Sequence, residues 1–367
     1  MSNYEPLRVA IVGCGNISNA YARSLKTKPH QVTLRGASDI DPDRTRAFVA
    51  THGGIAYPDL AAVLSDPDVE AIINLTSHHA HAEITCAALE AGKHVHSEKP
   101  LAGTLADGRR CVGVASRNGL RLSCSPFTFM GEAQQTLLRA KQDGAIGRVL
   151  VAYSEMNWGR IESWHPNPEG FYRPGSGPLL DVGVYPLTLL TTVLGPVRRV
   201  TGFAGITLPE RTIARGPNAG QAFPVTTPDE VVGGLEFEAG ALGRLTASFV
   251  VHGTRQSSGT ELHGERGSLF LSSNHDFNAR VERFDHATGV WSPVPYVTEP
   301  FPGVEWGRAV FELADSVRTN ALQRCTALQA LHVLETCLGI LQSAEEGRPV
   351  AIESRFIPPA PLEQGRR

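Results

Sequence analysis

The sequence predicts an α/β protein of two domains, an N-terminal doubly wound parallel sheet followed by a part built on an antiparallel sheet. Three observations carry this expectation. Short apolar, β-branched runs alternate with helical patterns through the first third of the chain, which is the mark of βαβ units and a sheet covered on both faces. A glycine-rich turn stands directly after the first of those runs. From about Gly147 onward the pattern changes to strand pairs joined by short glycine turns, which signals hairpins.

Taken in order, LRVAIVG (7–13) reads as the first strand and NISNAYARSLKT as the first helix. VTLRGASD (32–39) is a second strand, and PDRTRAFVATHG (42–53) a second helix with Pro42 in its first turn and a glycine at its end. A short helix DLAAVLSD (59–66), a buried strand VEAIINLT (69–76), a helix at 80–93 and a strand HVHSEKP (94–100) follow. A further helix (104–118) and a strand near LRLSCS (120–125) complete the alternating part.

Beyond it lie three hairpins, at 230–251 with its turn at Glu238–Gly240, at 260–273 with its turn near Gly264–Gly267, and at 280–294 with its turn around His286–Gly289. Helices return at 304–319 and 326–347. The tail after Phe356 is rich in proline and charge, a composition expected to order poorly.

Composition bounds the class of function. A chain of 367 residues suits two domains, and 41% hydrophobic with 19% charged residues is ordinary for a globular protein. The formal charge of −3 gives no electrostatic reason to expect nucleic acid or a membrane surface as partner. No apolar run approaches the roughly 18–20 residues that span a bilayer, and the start, MSNYEPLRVAIVG, lacks a secretory pattern. The six cysteines are scattered without CxxC pairs or metal-ligand spacing, so a reduced, cytoplasmic protein without a structural metal is expected.

The turn VAIVGCGNIS places Gly13 and Gly15 between the first strand and the first helix. The first glycine allows a tight turn, and the second lets the backbone approach a pyrophosphate at the helix N-terminus. Ser18 takes the third position of this fingerprint, small enough for helix–strand packing. Asp39, 24 positions after Gly15, ends the second strand, where a carboxylate accepts ribose hydroxyls and repels a 2′-phosphate. NAD is therefore the expected cofactor, with NADP as the alternative because Arg44 is near in sequence. Asn16 and Ile17 on the loop, with Thr76, His81, Glu98 and Lys99 at later strand ends, complete the set expected to face it.

SEKPL puts Lys99 at the carboxyl end of a strand, where open α/β sheets bind ligands. Read together, GCGNIS, the acidic end of the second strand, HAEITCAALEAGKHVHSEKPLA and LLDVGVYPLTLL resemble the Gfo/Idh/MocA family across nearly the whole chain. The resemblance implies an N-terminal Rossmann domain, residues 1–124, and a C-terminal α/β domain with a large, mostly antiparallel sheet, residues 125–367. It implies transfer of hydride between a nicotinamide cofactor and sugars, cyclitols or related alcohols, and pairing through the second sheet into homodimers or homotetramers. In the family's D-x-x-x-[H/Y] element this chain has Asp181 and Tyr185, the tyrosine variant. Many members carry an arginine after the sixth strand, where this chain reads SPFTFMGEA (125–133), so no substrate contact is carried over from that segment.

Asp181 and Tyr185, spaced i and i+4, share a helix face. Oxidation of an alcohol needs a base for the hydroxyl proton. A phenol, with an ordinary pKa of about 10, becomes one when a neighbouring ammonium favours phenolate. Lys99 is expected to supply that ammonium and to donate to the developing oxygen, and Asp181 to orient the substrate or Lys99. The bland alternative is a capping aspartate and a core tyrosine.

The segment at 157–181, rich in aromatic residues and proline, supplies Trp164, His165, Tyr172 and Arg173 as expected substrate contacts, since a sugar presents an apolar face and hydroxylated edges. His165 is also a rival base. His78, His79, His81, His94 and His96 cluster near strand ends, but no carboxylate or cysteine completes a metal site among them, so they read as lining or packing residues. The expected function is oxidation of a secondary hydroxyl of a carbohydrate with NAD. An aldose C1 dehydrogenase, an NADPH-dependent keto-sugar reductase and a non-catalytic NAD-binding redox sensor are the alternatives.

Overall fold

The computed structural model describes residues 4–255 and 258–362. The chain forms two units, Met1–Phe127 with Glu305–Leu331, and Thr128–Val304 with His332–Arg367. The first unit thus takes in a late stretch of chain besides the residues before the 124/125 division.

In the first unit the elements run β1 Leu7–Val12, α1 Ser18–Leu25, β2 Val32–Ser38, α2 Pro42–His52, β3 Ile55–Ala56, α3 Leu60–Ser65, β4 Ala71–Asn74, α4 His81–Glu90, β5 His94–Ser97, α5 Leu105–Arg117 and β6 Leu122–Cys124. All strand pairs are parallel, in the order β3-β2-β1-β4-β5-β6. The order reverses at β1 and β4, which makes their carboxyl ends the ligand-binding crevice of a doubly wound sheet. β4 is buried along its whole length, as a strand covered on both faces must be. Local chemistry starts and stops the helices where expected: the Asp41 carboxylate accepts the Asp43 N–H ahead of α2, and Gly53 ends it at φ +83°. β3 is two residues long, too short to show a periodicity.

The late segment adds a helix to this unit. α8 (Arg308–Thr319) belongs to this unit, with the Gly307 N–H donating to Ser24 Oγ at 2.8 Å and Trp306 packed on Tyr21 and Phe127.

The second unit holds α6 Glu132–Gln142, β7 Val149–Asn157, α7 Val184–Leu194, β8 Val197–Gly205, the hairpin β9 Glu210–Thr212 with β10 Ala222–Pro224, β11 Glu230–Phe237, β12 Leu242–Ser248, β13 Thr260–Gly264, β14 Gly267–Leu271, β15 Val281–Asp285, β16 Val290–Pro293 and β17 Val350–Ala351. α9 spans Ala327–Glu346. Nine strands form one sheet, β16-β15-β14-β13-β7-β12-β11-β8-β17, in which only β7–β12 is parallel. α9 lies against one face: a Cβ on Gly202 would stand 2.6 Å from the Ile340 carbonyl oxygen, so glycine there lets helix and sheet approach. On the other face Phe203 (81% exposed) and Leu242 (57%) alternate with ion pairs such as Arg244–Glu155 at 2.8 Å.

The start of the tail is ordered, contrary to its composition. The Leu362 N–H donates to Gln135 Oε1 at 2.7 Å and its carbonyl accepts from Arg139 at 3.0 Å, two bonds to α6 that proline content does not reveal. Residues 363–367 lie outside the described residues. Among the described residues no helix is long and apolar enough to cross a membrane.

Candidate active site

Gly13 turns the chain off β1 at φ +97°, and a Cβ there would stand 2.7 Å from main-chain atoms of Leu75 and Thr76 after β4. Only glycine fits that approach. Gly15 differs: nothing lies within 4 Å of where its Cβ would be, so its backbone is open on the side a pyrophosphate needs. Ser18 is buried and its hydroxyl donates to the Gly15 carbonyl at 2.6 Å, closing the turn by a bond that glycine or alanine could not make. Asn16 is exposed and Ile17 half-buried on the same turn.

Asp39 is fixed from two sides. Its Oδ2 accepts the Cys14 N–H at 2.7 Å and its Oδ1 the Asp41 N–H at 2.9 Å, while each oxygen keeps a lone pair for a ribose hydroxyl. Arg44 leans toward Asp41 at 3.5 Å. Burial, then the Asp39 charge, pushes the Cys14 thiol up to about 12, so it stays protonated beside the loop. The open glycine, the helix N-terminus and the anchored carboxylate together fit a dinucleotide.

At the ends of β4 and β5 the expected residues divide. Thr76 is half-buried, with its hydroxyl donating to Asn74 Oδ1 at 2.7 Å. His81 is buried, with Nδ1 2.8 Å from the Pro100 carbonyl and Nε2 3.1 Å from that of Thr76. It therefore braces the two strand ends, and no face of its ring is left for a cofactor. Glu98 Oε1 accepts from Tyr21 at 2.7 Å and Ser125 at 3.1 Å, and Oε2 accepts the Lys99 N–H at 3.1 Å. His96 joins this network through Tyr21 at 3.1 Å, and burial holds its imidazole down at about 4. Lys99 is half-buried in the turn that follows β5. Of the other histidines, His94 accepts the Arg121 N–H at 2.9 Å, and the rings of His78 and His79 lie 3.8 Å apart, tilted by 43°.

In the second unit, the helix expected at 179–190 opens as a π turn, Leu179–Gly183, before α7. Such wide turns concentrate at functional sites. Asp181 lies inside that turn, whose N-cap position is Pro178, so it does not occupy the cap position of the capping alternative. Tyr185 is half-buried, packed on one side against a core of Met156, Ile161 and Phe249. His165 sits edge-on between Trp164 and Phe171, with ring centroids 5.5 and 5.0 Å away. Its Nδ1 accepts the Asn167 N–H at 3.1 Å, which fixes the neutral tautomer with hydrogen on Nε2. Burial lowers its pKa, opposed by the Asp181 charge. In that tautomer His165 donates through Nε2.

One expected contact is corrected. Tyr172 is fully buried, and its hydroxyl donates to Glu162 Oε2 at 2.5 Å inside a core ion cluster. There Arg211 reaches Glu162 at 2.8 Å and Asp229 at 2.6 Å. A ring with no accessible surface cannot meet a substrate, so Tyr172 anchors the loop instead. Arg173 is exposed and paired with Glu169. Conversely, Trp158 and His275 approach the site unforeseen: the His275 ring lies 6.1 Å from Tyr185 and 5.1 Å from Trp158. Nothing in the spacing of SSNHDFN marks His275, 90 positions after Tyr185.

The profile of an oxidoreductase family with an NAD-binding Rossmann fold, Gfo/Idh/MocA, matches residues 7–125, and that of the Gfo/Idh/MocA C-terminal domain matches residues 134–270. The chain is 28% identical to levoglucosan dehydrogenase of Pseudarthrobacter phenanthrenivorans, over 73% of its own length and 74% of the relative. It is 30% identical to dTDP-3,4-didehydro-2,6-dideoxy-alpha-D-glucose 3-reductase of Actinomadura kijaniata, over 78% and 82% of the two chains. A solved levoglucosan dehydrogenase in complex with NADH and L-sorbose shares the fold at a TM-score of 0.82 and 21% identity, covering 95% of this chain and 99% of that one.

Proposed function

Because the chain belongs to the Gfo/Idh/MocA family of oxidoreductases, with an NAD-binding Rossmann domain, we propose that it is an NAD-dependent dehydrogenase that oxidises a secondary hydroxyl of a sugar, cyclitol or glycoside. The observation that carries this reading is the π turn that opens α7, which holds Asp181 and is followed by a half-buried Tyr185 beside aromatic rings. The named relative that oxidises levoglucosan supports a carbohydrate as substrate.

In this mechanism the bound NAD supplies the hydride acceptor. Gly15 and the start of α1 hold its pyrophosphate, and Asp39 its ribose. Tyr185 takes the hydroxyl proton, and Lys99 donates to the oxygen that becomes the carbonyl. Asp181 accepts from a neighbouring hydroxyl, and His165 donates through Nε2 to the sugar edge. The fixed Asp39 carboxylate favours NAD over NADP. Run backward, the same groups reduce a keto sugar, with Tyr185 returning the proton.

The open face of the second sheet, with Phe203 and Leu242 exposed between ion pairs, supports assembly into a homodimer or homotetramer. The six cysteines are free thiols, which supports a reducing, cytoplasmic setting.

The test is to incubate the protein with NAD⁺ and levoglucosan, myo-inositol and methyl glucosides, following reduced nicotinamide. Turnover of one compound class is the expected result. Absence of turnover in both directions, with cofactor binding intact, rejects the reading in favour of a redox sensor.

A further inference from the structure

The turn after β14 carries an unusual density of hydrogen bonds for four residues. Asn274 is fully buried; its amide donates to the carbonyls of Glu155 at 3.1 Å and Ser258 at 3.2 Å, and its Oδ1 accepts from Thr260 at 2.6 Å. From α6, Gln134 donates to the carbonyls of Ser273 at 3.1 Å and Asp276 at 3.0 Å. Thr128 donates to the Asn274 carbonyl at 3.2 Å. Main-chain oxygens of the turn are thus held by Gln134 and Thr128 while the Asn274 amide ties it to two further segments, a rigid mount of the kind that positions a functional group.

What the mount presents is His275. Its ring meets Tyr185 and Trp158 edge-to-face, at interplanar angles of 71° and 70°. Ser273 Oγ lies 3.2 Å from Nδ1, leaving Nε2 as the ring's other polar atom. Burial holds the imidazole below its ordinary pKa, so it is neutral and can both donate and accept. Trp158, directly after β7, is 38% exposed although it packs on His275.

We propose that Trp158 and His275 form the carbohydrate platform beside Tyr185, with His275 as the specificity-determining residue, and that the site takes an uncharged sugar or cyclitol ring. This rests on the dehydrogenase reading above. The indole covers an apolar C–H face of the ring, and the imidazole bonds a hydroxyl next to the one oxidised. The Asp276 carboxylate acts on the His275 imidazole, and the Asp181 carboxylate acts on His165 in the same unit. Three arginines of this unit are paired with carboxylates: Arg173 with Glu169, Arg244 with Glu155 and Arg211 with Glu162 and Asp229. Such surroundings favour hydroxyls and repel phosphate or carboxylate groups.

The test compares wild type, Trp158→Ala, His275→Phe and His275→Asn. Each is assayed with NAD⁺ and the neutral compounds above, and with UDP-glucose and glucose phosphate, alongside NADH affinity by fluorescence. The expected result is turnover of a neutral compound, with KM raised on the order of ten-fold by Trp158→Ala and by His275→Phe, since each deletes one substrate interaction. kcat changes less, NADH affinity is unchanged, and His275→Asn, which keeps polar atoms, recovers part of the loss. An active wild type whose KM is unmoved by both Trp158→Ala and His275→Phe overturns the platform and leaves the dehydrogenase standing. Turnover confined to the charged compounds overturns the substrate class. Turnover of none by wild type removes the dehydrogenase reading and the platform with it.

Discussion

Replacing Arg211 by methionine removes a guanidinium that lies between two buried carboxylates. The Arg211 side chain is 2% exposed and that of Asp229 0%. Removing one partner of such a pair costs about 3–5 kcal/mol, because charges are left buried without compensation. Here Tyr172 still donates to Glu162, and the Thr207 and Leu208 N–H groups still serve Asp229, so the lower part of the range, about 3–4 kcal/mol, applies. For a unit of this size each kcal/mol moves the melting temperature by about 2–4 °C, so Tm falls by roughly 6–16 °C.

Urea unfolding and calorimetry of the full chain measure it. Adding Glu162→Gln and Asp229→Asn to Arg211→Met recovers part of the loss, because it removes the charges left without a partner. A loss below about 1 kcal/mol, or no recovery on neutralising the two carboxylates, refutes the account of this cluster.

Gly13→Ala forces a Cβ against Leu75 and Thr76 at φ +97°, and strain of about 1–3 kcal/mol there lowers NADH affinity ten-fold or more in a fluorescence titration. Asp39→Ser weakens NAD binding and raises the NADP-to-NAD ratio of kcat/KM by on the order of ten-fold, since it removes the anion that faces a 2′-phosphate. His96 and His332 are both held down at about 4 by burial, below the roughly 6.5 of an unfolded chain. The unfolded chain therefore binds more protons between those values. Stability is full above about pH 6.5 and falls toward about pH 4 by up to roughly 3 kcal/mol per group. Urea midpoints across that window measure the fall, and flat midpoints contradict it.

The first unit was legible because its signals are local. Alternation of period, Pro42 and Gly53 around α2, and the glycine turn after β1 each act within a few residues. The three hairpins of the second sheet were legible for the same reason, each closed by its own glycine turn. β7 and β8 escaped notice because their partners are distant in sequence: Tyr153 pairs with Arg244 and Glu261, and Val200 with Leu235. In the site, Asp181 and Tyr185 share one turn and could be read as a pair, whereas His275 reaches Tyr185 only through the fold. Tyr172 was misjudged because an aromatic ring in a proline-rich loop looks like a contact until Arg211, 39 residues later, is seen to bury it.

The central claim, direct transfer of hydride from a carbohydrate hydroxyl carbon to NAD with Tyr185 as base, is tested most directly with a substrate deuterated at that carbon. The account predicts one deuterium in the NADH formed by wild type. It also predicts turnover lost by at least a hundred-fold in Tyr185→Phe and Lys99→Ala while both still bind NADH, general-base catalysis being worth about 10²–10⁴-fold. NADH without deuterium, or variants that turn over like wild type, contradicts it.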